Sequence, residues 1–214
     1  MMDVPVSGQR QRIEEKRSMY FDGSFRFIGK VDPEPLARAI DSLGADVWSE
    51  YVRRQEMFQP HRNTETIPLL YDEDSRHTDP TVWPRYSELE PAMQQVLDTI
   101  REANRAAAVN AGDGYFIRII LTRLKPHCWI PRHRDGGATL IKSHRYHVAI
   151  MTNPSVEFEV GDEVKHFAAG DIWEINNRNL HAVRNPTDER RIHLILDYVV
   201  PGERIEDPDG VFFA

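Results

Sequence analysis

Hydrophobic and polar positions change their period near residue 112. Beyond it, short runs rich in Val, Ile, Phe and Tyr follow one another: YFIRIILTRL (115–124), HVAIMT (147–152), VEFEV (156–160), EVKHFA (163–168), DIWEI (171–175), HAVRN (181–185) and IHLILDYVV (192–200). Turn signals separate them, among them Asp135-Gly136-Gly137, Asn153-Pro154, Gly161-Asp162, Gly170-Asp171 and Asn176-Asn177. Many short strands at regular spacing predict a sandwich or barrel, and the jelly-roll and cupin group is one such closure.

The first half reads differently. FRFIGKV (25–31) alternates as a strand. Asp32-Pro33-Glu34 supplies an N-cap and a first-turn proline, predicting a helix through Leu36, Ile40 and Leu43 that stops near Gly44. Residues 51–86 are irregular, with a short strand at Ile67-Pro68-Leu69-Leu70. Ser87 is placed to cap a second helix, whose apolar positions Leu89, Met93, Val96, Leu97, Ile100 and Ala103 keep the 3.6-residue period to near Gly112. The fold class predicted is α+β: a double-stranded β-helix (jelly-roll, cupin-like) with N-terminal helices packed on it. Residues 1–18 read as a mobile arm and 19–214 as one catalytic domain. Within that domain, 19–112 is helical and irregular, 113–200 is the β core and 201–214 is a tail.

Composition narrows the function. The 214 residues are 40% hydrophobic and 29% charged, as in globular proteins. A formal net charge of −7 argues against nucleic acid as a partner, since neutralising phosphates needs surplus Lys and Arg. The polar N-terminus, MMDVPVSGQRQRIEEKRS, does not read as a secretory signal, and no apolar run approaches the roughly 18 residues that a membrane span needs. Cys128 is the single cysteine, so no intrachain disulfide forms and a cytoplasmic location is expected.

Candidate chemistry starts at His133-Arg134-Asp135. In an extended segment this spacing turns an imidazole and a carboxylate to one face, where both can reach one cation. His181, opening a strand after Asn176-Asn177, is the expected third ligand. Two imidazoles and one carboxylate form the facial triad of non-haem Fe(II) oxygenases, and the absence of thiolate ligands argues against structural zinc. Ten residues further on, Arg191 shares a strand face with His193, Ile195 and Asp197, where its planar fork suits a dicarboxylate held beside the metal. Arg145 and His147 offer further cationic or donor groups on a shared face.

These residues resemble the aspartyl/asparaginyl β-hydroxylase family of Fe(II)/2-oxoglutarate oxygenases. The resemblance runs from about Phe116 to Tyr198. It is carried by Leu124-Lys125-Pro126, Ile130-Pro131-Arg132-His133, Arg145-Tyr146-His147-Val148 and Val156-Glu157-Phe158, then by Gly170-Asp171-Ile172-Trp173-Glu174, Asn176-Asn177 and His181-Ala182-Val183 with Asn185 and Arg191. It implies that His133 and His181 bind iron and that Arg191, helped by Thr122, binds the distal carboxylate of 2-oxoglutarate. Arg145 and His147 are then expected at the other end of that co-substrate. Asp135 replaces the glycine of the branch that modifies epidermal growth factor-like domains, as in small members similar to proline hydroxylases. The implied reaction hydroxylates an unactivated C–H of an amino acid (free, carrier-bound or peptidyl), using O2 and releasing succinate and CO2. His61, Arg62 and Arg118 are candidate substrate contacts, Trp129 is expected to pack, and His127, His144 and His166 are expected at the surface. The alternative class is a non-catalytic cupin-like metal- or ligand-binding sensor.

Overall fold

The computed structural model describes residues 21, 23–73, 78–105, 113–136, 139–140 and 143–201. The arm expected at 1–18, most of the tail and the end of the second helix lie outside them. Among the described residues, three α-helices, α1 (Glu34–Ser42), α2 (Arg53–Met57) and α3 (Tyr86–Arg105), accompany ten strands. The strands are β1 (Phe25–Lys30), β2 (Thr64–Leu70), β3 (Tyr115–Leu124), β4 (Cys128–His133) and β5 (His144–Met151), followed by β6 (Glu157–Val160), β7 (Glu163–Lys165), β8 (Asp171–Ile175), β9 (His181–Asn185) and β10 (Arg191–Val199).

The strands form two antiparallel sheets, ordered β1-β8-β5-β10-β3-β2 and β4-β9-β6-β7. Strands β3 to β10 alternate between them, save that β6 and β7 follow each other in the smaller sheet. That winding is the double-stranded β-helix, here with sheets that face each other without closing into a barrel. The larger sheet carries α1 and α3 on its outer face, where Leu36, Ile40, Met93, Leu97 and Ile100 pack against Tyr146, Val148, Leu194 and Leu196. A second apolar cluster, including Leu124, Ile130, Phe158, Phe167 and Val183, lies between the sheets.

Period-2 alternation explains how β5 and β10 serve both layers. Tyr146, Val148, Ile192, Leu194 and Leu196 face the helices, so Arg145, His147, Arg191, His193 and Asp197 face the interior between the sheets. All nine residues of β10 are buried.

Several local expectations need correcting. The second helix begins at Tyr86, and the Ser87 hydroxyl donates to the Pro84 carbonyl at 3.4 Å instead of capping. His144 is buried, its Nδ1 2.6 Å from Glu174 Oε1, because β5 is covered on both faces. Trp129 is 59% exposed: it points away from the interior on β4, an edge strand. At the start of α1, the Asp32 carboxylate accepts the Glu34 N–H at 3.1 Å, as a cap should. Gly170, before β8, holds φ +85°, and a Cβ there would stand 2.2 Å from the Val31 carbonyl oxygen. Only glycine admits that approach, which lets Val31 N–H bond the Gly170 carbonyl at 2.9 Å and lead β1 onto the sheet.

Candidate active site

β4 and β9 pair antiparallel with His133 directly opposite His181, after an irregularity between Ile130 and His133. The two rings lie 4.3 Å apart, centroid to centroid. Asp135, just beyond β4, brings Oδ1 to 3.9 Å from His133 Nε2 and Oδ2 to 3.5 Å from His181 Nε2. His61, ahead of β2, closes on the same point: ligand atoms of His61, His133 and Asp135 lie within 4.8 Å of one another.

Hydrogen bonds to the outer nitrogens distinguish the three imidazoles. His133 Nδ1 lies 2.8 Å from the Pro131 carbonyl and His181 Nδ1 lies 3.1 Å from the Asn179 carbonyl. A carbonyl only accepts, so both Nδ1 atoms carry the proton and both Nε2 lone pairs face Asp135. His61 is the reverse. Its Nε2 is 3.1 Å from Arg54 Nη2, and a guanidinium only donates, so that lone pair is already used.

Arg145 holds the carboxylate in place. Its Nη1 pairs with Asp135, while Nε and Nη2 donate to the two oxygens of Asp197 at 2.7 and 2.8 Å. Asp197 is fully buried, and Arg118 approaches it at 3.7 Å. Burial resists ionisation of Asp135, but Arg145, His181 and His133 outweigh it and hold the acid well below the usual range. Burial likewise opposes the charge on Arg145, and Asp135 and Asp197 overcome it, raising the group above its ordinary value. For His133, burial and then His181 lower the pKa and favour the neutral imidazole that a metal requires.

Arg191 is 1% exposed and is the bulkiest of the fully buried side chains described. No carboxylate pairs with it among the described residues. Its Nη2 donates to His193 Nδ1 at 2.6 Å, Phe158 lies under its guanidinium at 5.7 Å, and its Nε has no partner. Burial, then the charge of Arg54, pushes it down to about 9. Burial and Arg191 also hold His147 and His193 well below the ordinary imidazole value, so both are neutral.

All seven site residues expected from the sequence line one cavity between the sheets: Thr122, His133, Asp135, Arg145, His147, His181 and Arg191. The Thr122 hydroxyl is 3.5 Å from the His193 carbonyl. Arg118 does not line the cavity; its guanidinium lies over Tyr71, 4.7 Å from the ring centroid. Arg54 lines it too, although nothing in Arg53-Arg54-Gln55-Glu56 marks it by spacing or motif. Arg54 Nη1 is buried without a partner, and burial together with Arg145 lowers its pKa to about 10.

The donor set fits a divalent metal: two imidazoles with their outer nitrogens anchored, and a carboxylate kept ionised. The unpaired guanidinium of Arg191 beside it fits a carboxylate. Two antiparallel sheets enclosing such a site define the class, the double-stranded β-helix oxygenases. Solved structures agree on the fold. An oxidoreductase of the 2OG-Fe(II) oxygenase family from Burkholderia pseudomallei matches with TM-score 0.59 and 14% identity over 92% of this chain and 93% of its own. A Trichoplax adhaerens prolyl hydroxylase, solved with a hypoxia inducible factor peptide fragment, matches with TM-score 0.54 and 13% identity over 92% and 94%. A viral collagen prolyl hydroxylase from Paramecium Bursaria Chlorella virus-1, solved with 2OG, matches with TM-score 0.53 and 10% identity over 82% and 95%. The aspartyl/asparaginyl β-hydroxylase family model matches residues 50–201, and the chain belongs to that family of Fe(II)/2-oxoglutarate oxygenases. It is accordingly an enzyme of the oxygenase type. No curated protein matches the chain in sequence. Among the described residues no helix is long and apolar enough to cross a membrane.

Proposed function

We propose that the protein hydroxylates an unactivated C–H of an amino acid, free, carrier-bound or peptidyl, with Fe(II) held by His133, Asp135 and His181. The observation that carries this ligand set is the pair of anchored imidazoles: His133 and His181 both aim an Nε2 lone pair at Asp135. Bound Fe(II) and 2-oxoglutarate together supply activation of O2: one oxygen atom enters the substrate C–H, the other enters succinate, and CO2 leaves.

Each protein group has a physical task in that scheme. Arg145 keeps Asp135 ionised and oriented, and each of its three nitrogens donates to a carboxylate, which makes it a positioning residue in preference to a direct co-substrate contact. Arg191 takes the distal carboxylate of 2-oxoglutarate, which supplies the missing counter-charge and a partner for Nε, with Thr122 beside it. His147 is neutral and can donate or accept without adding charge. The apolar wall of Phe158 and Val183 excludes water from the reacting carbon. The single cysteine and the absence of any disulfide favour a reducing compartment, the cytoplasm.

The direct test is succinate release. Purified protein with Fe(II), 2-oxoglutarate and O2 is offered a panel of amino acids and short peptides, and products are read by mass spectrometry. One added oxygen atom per succinate is expected. Succinate formation that is independent of Fe(II), or no oxygenated product from any panel member, would overturn the assignment.

A further inference from the structure

The distal carboxylate of 2-oxoglutarate answers Arg191 but leaves Arg54 unanswered. Arg54 comes from α2, outside the β core, and reaches the cavity with His61. Its Nη2 donates to His61 Nε2, so the His61 proton sits on Nδ1. Two donors therefore remain buried and without partners: Arg54 Nη1 and His61 Nδ1–H. Both belong to one linked pair beside His133, whose ring lies 5.1 Å from that of His61. A buried donor without a partner costs folding free energy, and a cation without a counter-ion costs more.

Charges around the cavity sharpen the point. Asp135 and Asp197 are matched by Arg145 and Arg118. Fe(II), Arg191 and Arg54 are left with four positive charges, and the 2-oxoglutarate dianion removes two. Arg54, which α2 brings to the cavity, carries part of that excess.

We propose that Arg54 and His61 form the receptor for a carboxylate of the substrate, so that the enzyme acts on a carboxylate-bearing compound held by that group near the metal. The shared chemistry is a carboxylate, and two sources present it: the α-carboxylate of a free amino acid, or the side chain of Asp or Glu within a peptide. This rests on the hydroxylase reading above and deepens it. It makes His61 a donor to substrate and leaves iron to His133, Asp135 and His181. The carbonyls of a neutral peptide segment could accept from these donors but would leave the Arg54 charge without a counter-ion.

The test separates failure of this assignment from failure of that reading. The anaerobic Fe(II)–2-oxoglutarate complex is first formed and recognised by its visible charge-transfer band; if it does not form in the wild type, the hydroxylase reading itself falls. The complex is then titrated, band shift as readout, with the common L-amino acids, their primary amides, and blocked tripeptides carrying central Asp or Glu. At least one free acid or acidic tripeptide is expected to shift the band, with its amide (or the Asn or Gln tripeptide) weaker by at least about 30-fold. Arg54→Met is expected to weaken that ligand by a similar factor while the affinity for 2-oxoglutarate stays within about threefold. Arg54→Lys should recover part of the loss, and His61→Gln, which leaves the guanidinium in place, should lose about tenfold. Three outcomes overturn the proposal: amides binding as well as acids, no carboxylate in any arm shifting the band, or Arg54→Met weakening 2-oxoglutarate as much as the substrate. The last would make Arg54 a second clamp on the co-substrate.

Discussion

Arg191→Met is expected to stabilise the metal-free protein while removing its co-substrate. The wild-type guanidinium is 1% exposed, has no acid beside it among the described residues, and is pushed from 12.5 down to about 9 by burial and by Arg54. At about 1.4 kcal/mol per pH unit, holding that charge costs the fold on the order of 5 kcal/mol at neutral pH. Methionine is of similar length and apolar. It forfeits the hydrogen bond to His193 and the contact over Phe158, together worth about 2–3 kcal/mol. The net gain is about 2 kcal/mol, which in a chain of this size raises Tm by about 4–8 °C. The sign with pH also follows. Between about 9 and the ordinary arginine value, the unfolded chain binds more protons than the folded one, so wild-type stability climbs with pH there. The variant should climb less. With Fe(II) present the effect on ligand reverses: loss of a desolvated charge partner costs about 2–5 kcal/mol, or roughly 30-fold to several thousand-fold in 2-oxoglutarate affinity. Differential scanning fluorimetry with and without 2-oxoglutarate reads both quantities. A variant that melts below the wild type and binds 2-oxoglutarate equally well would refute the reasoning.

Three other perturbations probe the frame of the site. Asp197→Ala leaves Arg145 and Arg118 buried without their shared acid and should cost about 3–5 kcal/mol in urea unfolding; a loss under about 1 kcal/mol would show that the pairing is idle. Gly170→Ala forces a Cβ against the Val31 carbonyl at positive φ and should cost at least about 2 kcal/mol, a forecast that an unchanged urea midpoint would sink. In the metal-free protein the depressed Asp135 contributes stability above the unfolded carboxylate value near 3.9 and loses it as pH falls through the folded value. Asp135→Asn should therefore flatten the acid limb below about pH 4, and parallel limbs in the two proteins would argue against the Arg145 pairing.

Strand alternation made the core and the metal face legible from sequence. In β5 and β10 the apolar residues sit two apart, which leaves Arg145, His147, Arg191 and Asp197 no face but the interior. His133, Asp135 and His181 could be grouped because the spacing of two puts the first pair on one side. What the sequence does not carry is β4 as a strand: Pro131 and Arg132 disguise it, and they are tolerated because β4 is a sheet edge. Pro68 is tolerated for the same reason in β2, the edge of the larger sheet, where the strand expected at Ile67–Leu70 starts earlier, at Thr64. Arg54 and His61 come from short helical turns with no periodic signal, and only the tertiary packing of that segment against β4 brings them to the cavity. Trp129 misleads for a related reason, since an aromatic on an edge strand can face solvent.

The most direct measurement is anaerobic titration of wild type, His133→Ala and His181→Ala with Fe(II) and then 2-oxoglutarate, following visible absorbance. The charge-transfer band should grow in the wild type to one equivalent and be lost in both variants. Its survival in either variant, or an equal loss in His61→Ala without loss of 2-oxoglutarate affinity in Arg191→Met, would contradict the ligand set on which the whole account stands.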